Sequence, residues 1–265
     1  MRHIFILIFF AFISCTAART QTPTNTIERS KNAIAVNAML WHQTSAEYRA
    51  LCYQAYTLAK LRLDEALLNK FDKKPAVIVD IDETVLDNSP YNANLIVTDG
   101  SFSQATWKAW TQGAQSIPVP GAVEFMNYAV TRGADVFYIS NRKLEEMPGT
   151  LANLVKMGFP QADDAHVLLR TEPGGKEKRR LKVAETHEVV LLCGDNLNDF
   201  TYIFEKKNIT ERFDGVEKLK DQWGKKFIVL PNPIYGDWEE AIYDYKYGLP
   251  DSTRDAKQRA AFRVK

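Results

Sequence analysis

Four short apolar runs set what this chain can become: Ala76 to Ile81, Ala134 to Ile139, Val189 to Cys193 and Phe227 to Leu230. His166 to Leu169 is a weaker fifth. The runs are unbroken rather than alternating, and rich in Val, Ile and Phe. That is the pattern of strands buried on both faces, as in a parallel sheet. Helical patterns lie between them at Ala122 to Thr131, Gly149 to Met157 and Lys176 to Thr186. The alternation predicts a doubly wound α/β sheet. Ligands of such sheets bind beyond the carboxyl ends of the strands, so the chemistry is to be sought at those ends.

The first run ends in acid. "VIVDIDETVLDN", Val77 to Asn88, carries Asp80, Asp82, Glu83 and Asp87. Carboxylates so close repel one another, and a buried charge must be paired or bound to a metal. The second run ends in Ser140-Asn141-Arg142. Lys176 follows Gly174-Gly175 at a helix start, and the Val189 run ends in Gly194-Asp195-Asn196-Leu197-Asn198-Asp199. The expected fold converges these ends on one crevice: a carboxylate pair, a hydroxyl, a cation and a second carboxylate pair. Such oxygen-rich surroundings suit Mg²⁺, which keeps several waters and takes substrate phosphate as a ligand. Lys178 is an alternative to Lys176, since "GGKEKRRLK" also reads as a solvated basic helix start.

The rest of the sequence narrows the field. The chain has 265 residues, 45% of them hydrophobic and 25% charged, which is globular composition. A formal net charge of +1 gives no sign of a nucleic-acid partner. The histidines (His3, His42, His166 and His187) are scattered, with no HExxH and no Cys/His cluster, so zinc is not expected. Arg2-His3 gives no support to a histidine-nucleophile phosphatase, because it sits in a leader. Cys52, within a helical pattern, and Cys193, at a strand end, read as small core residues rather than a bridge.

That leader is Met1-Arg2-His3 followed by an apolar run from Ile4 to Ile13, too short to span a membrane as a helix. It closes in Phe12-Ile13-Ser14-Cys15, which resembles a bacterial lipoprotein signal. The resemblance implies cleavage before Cys15, acylation of that residue and tethering to a membrane. The other reading is an ordinary secretory signal with an accidental Cys15. The expected layout is a signal at 1–14 and a lipidated Cys15 with a polar tether at 15–26. A helical part of a cap follows at 27–74, with helices at Ile27 to Gln43 and from the capping-box sequence Thr44-Ser45-Ala46-Glu47 to about Asn69. Pro75 ends this helical region. The catalytic core runs over 75–235 with a cap insertion at about 88–117. A C-terminal helical part and tail follow at 236–265, and the stretch from Asp251 to Lys265 shows no motif.

Taken in order, the strand-end motifs resemble the haloacid dehalogenase superfamily: D-x-D-x-[TV] at Asp80 to Thr84, a hydroxyl at Ser140, a lysine at Lys176 and G-D-x-x-x-D at Asp195 and Asp199. "DIDETVLDNSPYN", "VPGAVEF", "YISNRK", "GDNLNDF" and "PNPIYGDWE" are similar to the class C acid phosphatases, the lipoprotein e family of bacterial outer-membrane lipoproteins. The match runs from the leader to the Tyr235 segment. One departure is Ser140, where relatives carry Thr; the hydroxyl is kept.

The resemblance implies a Rossmann-like haloacid dehalogenase fold with a smaller helical cap built from N-terminal, inserted and C-terminal segments. It implies a Mg²⁺-dependent acid phosphatase acting on phosphomonoesters, such as 5'-nucleotides and nicotinamide mononucleotide, through a phospho-aspartate. Asp80 is then the nucleophile and Asp82 the acid and base. Ser140 and Asn141 bind phosphoryl oxygens, and Lys176 supplies positive charge. Asp80, Asp82 (by its backbone carbonyl) and Asp195 hold the metal, with Asp199 on a metal-bound water or on Lys176. A homodimer is carried over with the family. Trp107 and Tyr235 are expected to stack a nucleobase, and Trp110 and Trp238 to fill the cap core. A second reading is a surface lipoprotein that binds haem or nucleotide for uptake, with the phosphatase secondary. A third, an intracellular sugar-phosphate phosphatase, conflicts with the leader.

Overall fold

The computed structural model describes residues 35–171 and 173–264. The leader, Cys15, the tether and the first part of the Ile27 helix lie outside the described residues.

Helix α1 (Ala35–Thr44) is followed by α2 (Ala46–Ala66). Ser45 caps α2 by accepting the Tyr48 N–H at 3.1 Å, so the expected start stands, but the helix stops before Asn69. The next segment is β1 (Lys74–Val79), and Pro75 lies inside this strand rather than at a helix end. The strand reaches the Asp80 loop and the short strand β2 (Leu86–Asp87). Helices α3 (Ser89–Val97) and α4 (Gln104–Gln112) form the insertion, which returns through β3 (Ile117–Pro118). β2 and β3 pair antiparallel, Leu86 with Pro118 and Asp87 with Ile117, and make its neck.

The core then alternates: α5 (Ala122–Thr131), β4 (Asp135–Lys143), α6 (Met147–Lys156), β5 (Val167–Arg170), α7 (Glu177–Thr186), β6 (His187–Gly194), α8 (Ile209–Lys218) and β7 (Phe227–Val229), as expected but for α8, where the sequence showed no helical pattern. Two further helices, α9 (Asp237–Glu240) and α10 (Asp251–Ala260), close the chain. Helix α10 lies in the stretch from Asp251 on, which showed no motif. It buries none of its residues, so it has no apolar stripe for a pattern search to find. No helix among the described residues is long and apolar enough to cross a membrane.

The sheet is parallel, in the order β5-β4-β1-β6-β7. Successive strand residues point to opposite faces, and here both faces are apolar. Val77, Val79, Val136 and Tyr138 pack with α2 and α5 residues such as Tyr56, Leu63, Phe125 and Met126. Ala76, Ile78, Phe137 and Ile139 pack on the other side with Val183, Phe200 and Phe227. That is why the runs were continuous. Cys52 and Cys193 are both buried and free.

The chain builds β4 and β5 to one side of β1 and β6 and β7 to the other, which leaves a crevice at the carboxyl ends. Register does the rest. Val79 pairs with Tyr138 and with Cys193, so Asp80, Ser140 and Asp195 leave the sheet at nearly one level.

Candidate active site

Asp80 lies at the mouth of β1, with its N–H donated to the Cys193 carbonyl at 3.0 Å. Its Oδ1 is ion-paired with the ammonium of Lys176. The same ammonium lies 2.6 Å from Asp199 Oδ1. Lys176 therefore takes the cation's place, at the residue before α7; Lys178 instead lines a separate small cavity with Arg179 and Glu205. The other oxygen of Asp199 accepts the Asn196 N–H at 2.9 Å. Asp199 folds back over Gly194, where a Cβ would lie 2.4 Å from its side chain, so only glycine fits there. Asp195 accepts from Thr84 Oγ1 at 3.0 Å and from Asn232 Nδ2 at 2.8 Å.

Three buried or half-buried carboxylates thus face one ammonium. Burial raises Asp80 well above the usual carboxylate range, against the pull of Lys176. Burial and the charge of Asp199 push Asp195 up to about 7. Burial alone would lower Lys176, but Asp199 and Asp80 outweigh it and hold the ammonium charged. The group is short of positive charge. Oxygens from Asp80, Asp195 and Asp199 lie within 4.8 Å of one another. All the donors are hard oxygens, so the site fits a hard divalent cation.

Asp82 faces the other way. Its carboxylate is clasped by Arg142, with Nη2 at 2.7 Å and Nε at 3.0 Å from Oδ1. Asn88 Nδ2 donates to the same oxygen at 2.8 Å, and Ser140 Oγ donates to Oδ2 at 3.1 Å. Among the groups expected at the metal, Asp82 is thus the one whose carboxylate stands apart; its backbone carbonyl is what it can offer. Arg142 is 2% exposed and held in its charged form, because the nearby Asp82 outweighs the burial that would lower it. Its place in "SNRK", two residues after Ser140, was visible, but nothing local showed which carboxylate it would clasp. Asn141 is exposed at the rim, where its Oδ1 accepts from Arg179 at 2.7 Å.

These groups open into a cavity of about 1130 Å³. Trp107 and Tyr235 both line it, together with Tyr91, Ile234 and residues of α10 such as Arg254 and Gln258. Trp107 meets the edge of Tyr91 at 5.1 Å and has the Arg142 guanidinium 5.7 Å over its ring. Asn232 folds the Tyr235 loop, accepting the Ile234 N–H at 2.9 Å while its amide donates to Asp195. The Tyr235 hydroxyl donates to the carboxylate of Glu83, a fully buried residue in the left-handed region at φ 57°. Glu83 was counted among the acids of this stretch but given no role from the sequence. Trp110 is half-buried, and its indole N–H donates to Asn88 Oδ1 at 2.8 Å. Trp238 is a correction: it is 43% exposed and fills no core, because α9 is a four-residue helix lying on the rim of the site.

The model of the HAD superfamily, subfamily IIIB (Acid phosphatase), matches residues 10–238. The class C acid phosphatase from Bacillus anthracis is 42% identical and superposes with a TM-score of 0.86, covering 89% of this chain and 99% of that one. Its structure with tungstate bound gives 42% identity and a TM-score of 0.85, covering 88% of this chain and 98% of that one. Acid phosphatase 1 of Solanum lycopersicum is 24% identical over 174 residues, 62% of this chain and 60% of its own length. The stem 31 kDa glycoprotein of Glycine max is 25% identical over 165 residues, 60% and 58% respectively. The chain spans about three fifths of the length of these plant relatives.

Proposed function

The chain belongs to the acid phosphatases of HAD superfamily subfamily IIIB, and from that premise we propose that it is a Mg²⁺-dependent acid phosphatase. It hydrolyses phosphomonoesters, 5'-nucleotides and nicotinamide mononucleotide among them, through a phosphorylated Asp80. The observation that carries this reading is the pair of carboxylates two residues apart in opposite settings. Asp80 is ion-paired with Lys176 beside Asp195 and Asp199, and Asp82 is held by Arg142, Asn88 and Ser140. One is placed to attack and the other to move a proton. The Bacillus anthracis enzyme binds tungstate, and tungstate is tetrahedral like phosphate, which supports a phosphate-like ligand for this chain too.

Asp80, Asp195 and the backbone carbonyl of Asp82 would hold Mg²⁺, with Asp199 close by. When bound, the ion offsets the repulsion between an anionic nucleophile and an anionic phosphate. Asp80 attacks phosphorus and forms the acyl phosphate as the ester oxygen leaves. Protonated Asp82 gives its proton to that oxygen, and the alcohol departs. Asp82 then takes a proton from a water that attacks the acyl phosphate, which frees inorganic phosphate and restores Asp80. Ser140 and the N–H after it bind phosphoryl oxygens, and Lys176 balances the charge of Asp80. Trp107 and Tyr235 accept an aromatic leaving group between them.

Cys15 anchors the protein to the outer membrane of a bacterial envelope, a reading that rests on the leader alone, and the homodimer rests on the family resemblance. The test is phosphate release from a chromogenic ester with and without EDTA, followed by a kinetic screen of phosphomonoesters. Release that persists undiminished in EDTA, or that survives Asp80→Asn, refutes the mechanism.

A further inference from the structure

Asn88 is 0% exposed and does not line the cavity, yet its polar groups reach three separate parts of the site. Its Oδ1 accepts the Trp110 indole N–H at 2.8 Å and the Ser116 hydroxyl at 2.7 Å. Its Nδ2 donates to Asp82 Oδ1 at 2.8 Å. Its backbone N–H donates to Glu83 Oε1 at 2.9 Å. An indole N–H can only donate, so the amide oxygen must face Trp110 and the amide nitrogen must face Asp82. The orientation is set by chemistry.

Each contact leads onward. Asp82 is the proton carrier. Glu83 uses its second oxygen to receive the Tyr235 hydroxyl, which comes from the far end of the chain. Trp110 is one helical turn from Trp107 on α4, so a hold on Trp110 is a hold on that helix. Both aromatic walls and the proton carrier are thus tied to one buried side chain and its own amide.

We propose that Asn88 is a positioning residue that keeps the two aromatic walls of the cavity in register with the carboxyl of Asp82. The need is physical. The walls grip the remote end of the leaving group, whereas Asp82 must meet its ester oxygen at hydrogen-bond distance. A misplacement of about 1 Å between the two can lower the rate about 100-fold. Segments so distant in sequence hold such a tolerance only through a rigid link. A buried, fully satisfied polar network is rigid because every alternative leaves a group unpaired. The inference rests on the proposed roles of Asp82, Trp107 and Tyr235, and it adds what aligns them.

The test uses kcat and KM for a nucleoside 5'-monophosphate and for glycerol phosphate, on Trp110→Phe, Asn88→Asp and Tyr235→Phe. Trp110→Phe keeps an aromatic ring on α4 but removes the pyrrole part of the indole, and with it the N–H that Asn88 receives. It should raise KM for the nucleotide about three- to tenfold, the size of one lost neutral hydrogen bond, and leave KM for glycerol phosphate within about twofold. Tyr235→Phe, which cuts the Glu83 arm, should also raise KM for the nucleotide. Asn88→Asp should lower kcat on both substrates about tenfold or more and raise KM for the nucleotide besides. Where Asn88→Asp does not fold, the two ring variants carry the decision. Equal changes on both substrates, or none, in Trp110→Phe overturn the proposal, because a merely structural contact does not discriminate by leaving group. Trp107→Ala separates the two levels of the argument. A selective rise in nucleotide KM for Trp107→Ala without one for Trp110→Phe and Tyr235→Phe sinks the role of Asn88 alone. No selective rise for Trp107→Ala sinks the aromatic clamp, and the role of Asn88 with it.

Discussion

Stripped of metal, the protein should lose stability as pH rises from about 4 to about 7, and a divalent cation should remove that loss. The cause is Asp195, whose carboxyl is pushed from an ordinary 3.8 to about 7 by burial and by Asp199. Between those values the folded chain holds a proton that the unfolded chain has released. Unfolding stability then falls with pH, because its slope follows the protons bound unfolded minus those bound folded. The penalty is absent below the unfolded value and complete once pH passes the folded one. Roughly three pH units at ~1.4 kcal/mol per unit set an upper bound of about 4 kcal/mol. Asp195 is partly exposed, and solvent screening reduces that bound, so about 2 kcal/mol is a fair expectation. Asp80 is raised in the same direction and adds to the trend. The assay is urea unfolding at pH 5 and pH 8, in EDTA and in excess Mg²⁺, on the wild type and on Asp195→Asn. The wild type in EDTA should be less stable at pH 8, with the gap narrowed by Mg²⁺ and by Asp195→Asn. Metal-free stability that is flat or rising over this interval would refute the reasoning.

Three further outcomes are expected. Asp80→Asn keeps the shape of the side chain but removes the attacking charge, and turnover should fall by several orders of magnitude with circular dichroism unchanged; retention of more than about a tenth of the activity would contradict a nucleophilic role. Gly149→Ala places a Cβ 2.4 Å from the Thr111 carbonyl and 2.6 Å from Gln112 Cα, where α6 meets α4, so overpacking should cost about 1–3 kcal/mol in urea unfolding, and an unchanged midpoint would argue against that close approach. Cys15→Ala should leave phosphatase activity intact while moving the protein out of the membrane fraction, and unchanged fractionation would sink the lipid anchor.

Local sequence determined the sheet and the positions of its chemistry. A strand buried on both faces has to be apolar at every residue, so the runs at Val77, Val136 and Val189 announced themselves, and the polar residues that ended them were by necessity the ones facing the crevice. Parallel register then placed Asp80, Ser140 and Asp195 together with little left to chance. The cap signal worked for the same reason: Ser45 bonds to a backbone N–H three residues on, within reach of a short window. Tertiary structure decided everything that depends on a partner far along the chain. Thr84 meets Asp195 across 111 residues, Arg142 meets Asp82 across 60 and Tyr235 meets Glu83 across 152, and no periodicity encodes such pairs. It placed Lys176 rather than Lys178 between Asp80 and Asp199, and turned the carboxylate of Asp82 away from the other three. It left Trp238 on the surface and laid the polar α10 along the cavity, where its contacts are hydrogen bonds and ion pairs such as Arg254 with Glu239. Burial of apolar area is roughly additive and leaves its periodic mark in the sequence, whereas a directed polar contact depends on where two distant backbones come to rest, and that is settled only when the chain is folded.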